Sequence, residues 1–145
     1  MKIDFKNAAK RHFNDGELLY QHTRWANADN LYGLSAECIL KSIIAGLNPH
    51  EIDAITGDFI DRRSPHKKHL GNSSKNLWEH FSTHFAGRLA ANSPLSATNP
   101  FTDWDIAQRY AHEQYFNEQN VTHHRLATIN LQNLLDNLFA SGALA

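Results

Sequence analysis

The sequence predicts an all-α fold, a bundle of four to five helices forming a single domain over residues 1–145. Three observations carry this reading. Apolar residues recur at three- and four-residue spacing along nearly every segment, no stretch alternates in the manner of a strand, and the periodic runs end at glycine, proline or polar caps. Amphipathic helices of this length bury their stripes by packing on one another.

The elements follow in order. A first helix is expected from about Asp4 to His22, with Phe5, Ala9, His12, Gly16 and Leu19 on one stripe. Asp15-Gly16 is a possible break, but one continuous helix is the preferred reading. A second helix runs from about Trp25 to Ala45. Its stripe is Tyr32, Ala36, Leu40, Ile43 and Leu47, widened by Ile39 and Ile44. Gly46 and Pro49 are expected to stop it. Gly33 lies mid-helix, where it costs up to ~1 kcal/mol relative to alanine. That cost is understandable if a neighbour packs closely, and Gly16 and Gly33 are expected to face each other in an antiparallel hairpin. Pro49 to Ser74 is the least regular stretch, with at most a short helix from Glu51 to Ile55. A third helix is expected from about Ser74 to Arg88, carrying Leu77, Phe81 and Phe85 with Trp78 beside them. After a proline-containing loop from Ala91 to Phe101, Thr102 and Asp105 resemble a capping box. They open an expected fourth helix with Trp104, Ala107, Ala111 and Tyr115 on one side. A fifth runs from about Thr122 to Ala140 on Ala127, Leu131, Leu134 and Leu138, with Gly142 as its stop.

Composition narrows the function classes. Fourteen basic and 15 acidic side chains give a formal net charge of -1. There is no global positive field, so nucleic acid would have to be held by a local patch. One cysteine, Cys38, excludes an intramolecular disulfide and fits a reducing, cytoplasmic setting. The first fifteen residues are charged throughout and read as no signal peptide. No apolar run approaches the roughly 20 residues that span a bilayer. No cofactor is implied. Ten histidines are the unusual feature.

Two stretches resemble the HEPN-domain family. Asn27-Ala-Asp-Asn-Leu-Tyr-Gly-Leu-Ser-Ala-Glu-Cys-Ile-Leu-Lys-Ser-Ile-Ile44 is similar to its second helix, where a Glu is followed four positions later by a Lys inside an apolar helix. The run from Ala8-Ala9 to Leu19 looks like its first helix. Asn99-Pro-Phe-Thr-Asp-Trp-Asp-Ile-Ala-Gln-Arg-Tyr110 resembles the Trp…Arg-Tyr helix start of a subgroup. The resemblance implies a helical bundle, usually a homodimer, concerned with RNA or nucleotides. It often implies a toxin–antitoxin or defence setting, with a cognate antitoxin protein as partner. Catalytic members, which are metal-independent endoribonucleases, place a His after an Arg and four to six intervening residues, near the start of a late helix. Arg109 is at that place, but positions 114–116 are Gln-Tyr-Phe and His112 comes early, so the chain departs from the nuclease pattern.

Arg63 and His69 do have the literal spacing, earlier in the chain. The chemistry is suitable, since histidine moves protons near neutrality and arginine holds phosphorane-like charge through paired donors. Arg63, His69, Arg109 and His112 are therefore the catalytic candidates. Arg62, Arg63, Lys67, Lys68 and Lys75 form a basic cluster that could contact phosphates, against the plainer reading of a solvated turn. Asp105, Arg109 and Glu113, four residues apart, read as an ion ladder on the fourth helix. Glu37 and Lys41 make a polar pair on an apolar helix, either a buried structural pair or part of a groove at a dimer interface. His80 and His84, four apart, are the alternative to there being no metal site, as in histidine-bearing bundles of the DinB type. Cys38 reads as a small core residue. The competing function classes are a structural or interaction bundle and a metal-binding one.

Overall fold

The computed structural model describes residues 1–71, 75–89 and 95–144. Four α-helices make the frame: α1 Phe5–Gln21, α2 Trp25–Leu47, α3 Leu77–His84 and α4 Glu118–Ala140. No strand occurs among the described residues, only an isolated antiparallel bridge between Ile52 and Phe59. The all-α expectation holds.

α2 is the centre. It is apolar on most of its circumference and is covered by α1, α3, α4 and the segment after Phe101. Tyr32, Ala36, Ile39, Leu40, Ile43 and Ile44 have no exposed surface. α1 starts at Asp4, whose carboxylate accepts from the Asn7 N–H at 2.9 Å, and it is unbroken at Asp15-Gly16. It joins α2 through Thr23, which adopts φ 57° in the left-handed region. Ser35 donates to the Ala9 carbonyl at 2.8 Å across the hairpin. α4, capped by Asn117 at the Asn120 N–H, lays Leu131, Leu134, Leu135 and Leu138 on the core. α1, α2 and α4 meet around Tyr32. Its hydroxyl donates to Glu17 at 2.7 Å, and Glu17 accepts twice from the Arg125 guanidinium, at 2.7 and 2.8 Å. Gly142, at φ 76°, ends α4 as expected.

Several expectations need correction. Gly16 and Gly33 do not face each other. A Cβ on Gly16 would meet the Tyr32 ring at 3.1 Å, whereas one on Gly33 would lie 1.9 Å from Trp104, whose indole fills the notch. Gly46 does not stop α2. It lies inside the helix, where Leu144 packs on it, and the helix ends at Asn48 before Pro49. The short helix expected from Glu51 to Ile55 is a 3-10 turn at Pro49–Glu51, closed by the Ile52–Phe59 bridge. The expected fourth helix is replaced by two 3-10 turns, Ile106–Tyr110 and Glu113–Tyr115. Only Trp104 of its proposed stripe is buried, while Ala107, Ala111 and Tyr115 are exposed. A helix gains most of its stability from burying a face, and this one has no face to bury. Asp105 and His112 cap the two short turns, and Asn117 caps α4. The ladder Asp105–Arg109–Glu113 disappears with the helix, because residues four apart no longer share a side. Asp105 instead caps Ala107 N–H at 2.7 Å.

The third helix is shorter than expected, Leu77–His84 followed by a 3-10 turn at Ala86–Arg88. Its expected start at Ser74, and part of the loop from Ala91, lie outside the described residues. No helix of the described residues is long and apolar enough to cross a membrane.

Candidate functional site

Three histidines each sit against carboxylates, and the three arrangements differ in what is left free.

The first is built on α2. Glu37 and Lys41 are four residues apart on a buried helix face, 5% and 8% exposed, and their side chains pair at 2.7 Å. Leu70, 1% exposed, plugs the core next to this pair, and its own N–H donates to Glu37 Oε2 at 3.3 Å. Burying Leu70 brings the preceding residue to the same carboxylate: His69 Nδ1 is 3.0 Å from each Glu37 oxygen. The His69 side chain is 56% exposed, and among the described residues its Nε2 has no hydrogen-bond partner. The carboxylate fixes the tautomer with the proton on Nδ1 and turns the Nε2 lone pair outward. That is the arrangement by which a carboxylate orients an imidazole for proton transfer. Around it, His12 from α1 is held below the usual histidine range by burial and then by the Arg11 charge. The Cys38 thiol, pushed up to about 11 by burial and by Glu37, is no nucleophile at neutral pH.

The second arrangement joins the 3-10 turn at Pro65–Lys67 to α3. Buried His66 contacts Glu51 Oε2 through Nε2 at 2.7 Å and His80 Nε2 through Nδ1 at 2.8 Å. The His84 ring lies 4.9 Å from that of His80. Burial, followed by the charges of His66, His84 and Lys68, brings His80 down to about 4. His80 therefore couples to His66, which the sequence reading did not pair with it. Among the described residues no group of three His, Cys, Asp or Glu could hold a metal ion.

The third lies between α2, α4 and the segment after Phe101. His124 Nδ1 contacts Asp29 at 2.6 Å and Nε2 contacts Asp103 at 2.9 Å. The Phe101 ring stacks on the imidazole at 5.4 Å. Gln108 donates to the other Asp29 oxygen at 2.6 Å, and the Trp104 indole N–H to the Asp29 carbonyl at 3.1 Å. Burial alone would lower His124, but the hydrogen bonds and charges of Asp29 and Asp103 outweigh it and raise it. With both ring nitrogens occupied by carboxylates, this imidazole ties elements together and has no nitrogen left for a ligand.

The remaining candidates are scattered. Arg62 and Arg63 are exposed. Arg62 lines a shallow hollow of about 430 Å³ with Asp53, Asp58 and Lys67. Lys67 is committed to Asp58 at 2.6 Å. Lys68 is half-buried, and Lys75 lies exposed just before α3. No hydrogen bond or ion pair links Arg63 to His69 among the described residues. Arg109 donates to the Ile106 carbonyl at 3.1 Å and lies 4.6 Å over the Tyr110 ring. His112 caps the Gln114 N–H at 3.2 Å. Neither touches Glu37 or His69. Of the sequence candidates, then, Glu37, Lys41 and His69 come together, and Arg63, Arg109 and His112 stay apart from them. Asp29, Asp103 and Glu51 were missed. His66 and His124 have no local signal either, because their carboxylate partners lie 15 to 95 residues away. Neither a protein-family model, nor a curated protein, nor a solved structure matches this chain.

Proposed function

We propose that this chain is a HEPN-like helical module that meets RNA or nucleotide phosphates at the loop running from Arg62 to His69. The observation that carries the proposal is His69 itself: it is fixed by buried Glu37 through Nδ1 and open at Nε2. Arg62, Arg63 and Lys68 on the same loop supply positive charge. A phosphodiester held there would place a ribose 2′-hydroxyl within reach of a proton carrier, with no metal required. Binding is the first claim and cleavage a second, separable one. The basic run is weaker than it reads in sequence, because Asp58 neutralises Lys67. Affinity should accordingly be modest and steeply salt-dependent.

The test is single-stranded RNA and mononucleotide binding by fluorescence anisotropy at low salt. The triple change Arg62→Gln, Arg63→Gln, Lys68→Gln should abolish binding with the helical spectrum intact. His69→Gln should leave binding in place and remove any cleavage. If the unaltered protein binds neither RNA nor nucleotide, the proposal fails.

A second reading, a structural or interaction bundle, is favoured by His66 and His124, whose ring nitrogens are all used internally. A homodimer and a cognate antitoxin partner belong to the proposal as well. The apolar arc of α2 gives no argument for the dimer, because it is covered within the chain. Light scattering at micromolar concentration decides that point.

A further inference from the structure

We propose that Glu51, His66 and His80 form a proton-operated latch that holds the loop from Pro49 to His69 against α3 and releases it when both imidazoles carry an extra proton. The inference stands independently of any RNA role, although the released loop is the one that carries His69.

The chain of contacts is Glu51 Oε2 to His66 Nε2 at 2.7 Å, then His66 Nδ1 to His80 Nε2 at 2.8 Å. The carboxylate can only accept, so His66 keeps a proton on Nε2. Its Nδ1 then faces His80 Nε2 across a single hydrogen bond, which has room for one proton and no more. Two protonation levels satisfy this. Either both rings are neutral and His80 donates, or the pair carries one extra proton, with His66 donating from both nitrogens to His80 or a His80 imidazolium donating to neutral His66. A second extra proton, so that each ring is an imidazolium, puts two N–H groups head to head and two cations in contact, and the bond is lost.

The other groups facing this pair do not rescue it. Lys68 and His84 add positive charge on the His80 side. Glu51 already accepts from Asn48 at 3.0 Å, with His50 3.9 Å from it. Phe59 and Phe85 wall the imidazole of His66 at 5.1 and 5.4 Å and offer no hydrogen bond. Arg88 lies over the Phe85 ring, 5.7 Å from its centroid.

His66 is the buried residue of a short 3-10 turn, and Lys67, Lys68 and His69 follow it directly. Losing its bond to His80 loosens this stretch, which is also tied to α3 by the Leu77 N–H donating to the His69 carbonyl at 3.0 Å. The depressed affinity of His80 for protons in the closed form fits the geometry. A histidine lowered on closing favours the closed form above its ordinary range and ceases to do so as pH falls toward its closed-form value.

The experiment is backbone amide hydrogen exchange by NMR between pH 7.5 and 4.5, corrected for intrinsic rates, read at the N–H groups of Ile60, Lys67 and Leu77. In the unaltered protein, opening of these amides should rise below pH 6.5, by at most roughly tenfold per pH unit for one linked proton. Amides of α1 and α2 should not follow. His80→Asn, which still hydrogen-bonds but does not titrate, should flatten the rise. An unchanged pH dependence in His80→Asn overturns the latch, as does a rise shared equally by α1 and α2. If His80→Asn does not fold, the His80 ring resonances of the unaltered protein decide. A midpoint well below the ordinary histidine range supports the latch, and an ordinary midpoint refutes it.

Discussion

His69 and His124 begin alike and end differently. Each presents Nδ1 to a carboxylate rooted in α2, at 3.0 Å for Glu37 and 2.6 Å for Asp29. In His124 the second nitrogen meets Asp103, Phe101 covers the ring, and the side chain is 3% exposed. In His69 the second nitrogen faces water. The comparison teaches that a histidine–carboxylate pair is not in itself a sign of chemistry. What happens at the far nitrogen separates a fastener from a proton carrier, and that is decided by which loop happens to pack there.

The sharpest way to break the comparison is truncation. His124→Ala leaves Asp29 buried without its imidazole, and the expected loss is about 3–5 kcal/mol in urea unfolding. A loss below about 1 kcal/mol would mean His124 fastens nothing. Glu37→Ala should cost about 3 kcal/mol, because Lys41 is left buried without an anion, whereas Glu37→Leu with Lys41→Met should recover most of that. Recovery would mark the pair as replaceable for folding and point to a role outside stability.

The pH dependence comes next. His124 is raised in the folded protein, so its contribution is full below the ordinary histidine value and declines as pH rises through the raised one. Asp103 is lowered. Burial opposes that shift, and the hydrogen bond and charge of His124 override it. Its contribution is present above the ordinary aspartate value and is lost as pH falls. The fastening is therefore strongest between the two ranges. His124→Asn should flatten the alkaline side of the stability curve, measured as Tm against pH.

The smallest effect belongs to His69→Ala, expected to cost less than about 1 kcal/mol, because the ring is largely in water and Glu37 retains Lys41 and the Leu70 N–H. A cost like that of His124→Ala would erase the distinction between the two histidines.

α1, α2 and α4 were legible in the sequence because a long stripe at helical spacing admits few other readings. The stretch from Thr102 to Tyr115 was not. Trp104, Ala107, Ala111 and Tyr115 imitate such a stripe, and only the absence of a surface to bury it against, invisible in one dimension, turns it into 3-10 turns. Glu37 with Lys41 could be read because a helix places residues four apart side by side. That His69 would join them depended on where Leu70 was buried. Asp29 and His124, 95 residues apart, had no local signature at all. Gly33 announced a close approach but not its partner.

That partner gives the segment after Phe101 an all-or-none attachment. Trp104 enters a notch that no residue larger than glycine provides, and Asp103 and Gln108 reach the Asp29–His124 pair on either side of it. The indole itself has no half-seated position: the ring is in the notch or out of it. If the segment detaches, the indole is expected to leave the notch together with the Asp103 and Gln108 contacts to the Asp29–His124 pair. Tryptophan emission and the His124 resonances should therefore register that detachment at one common rate.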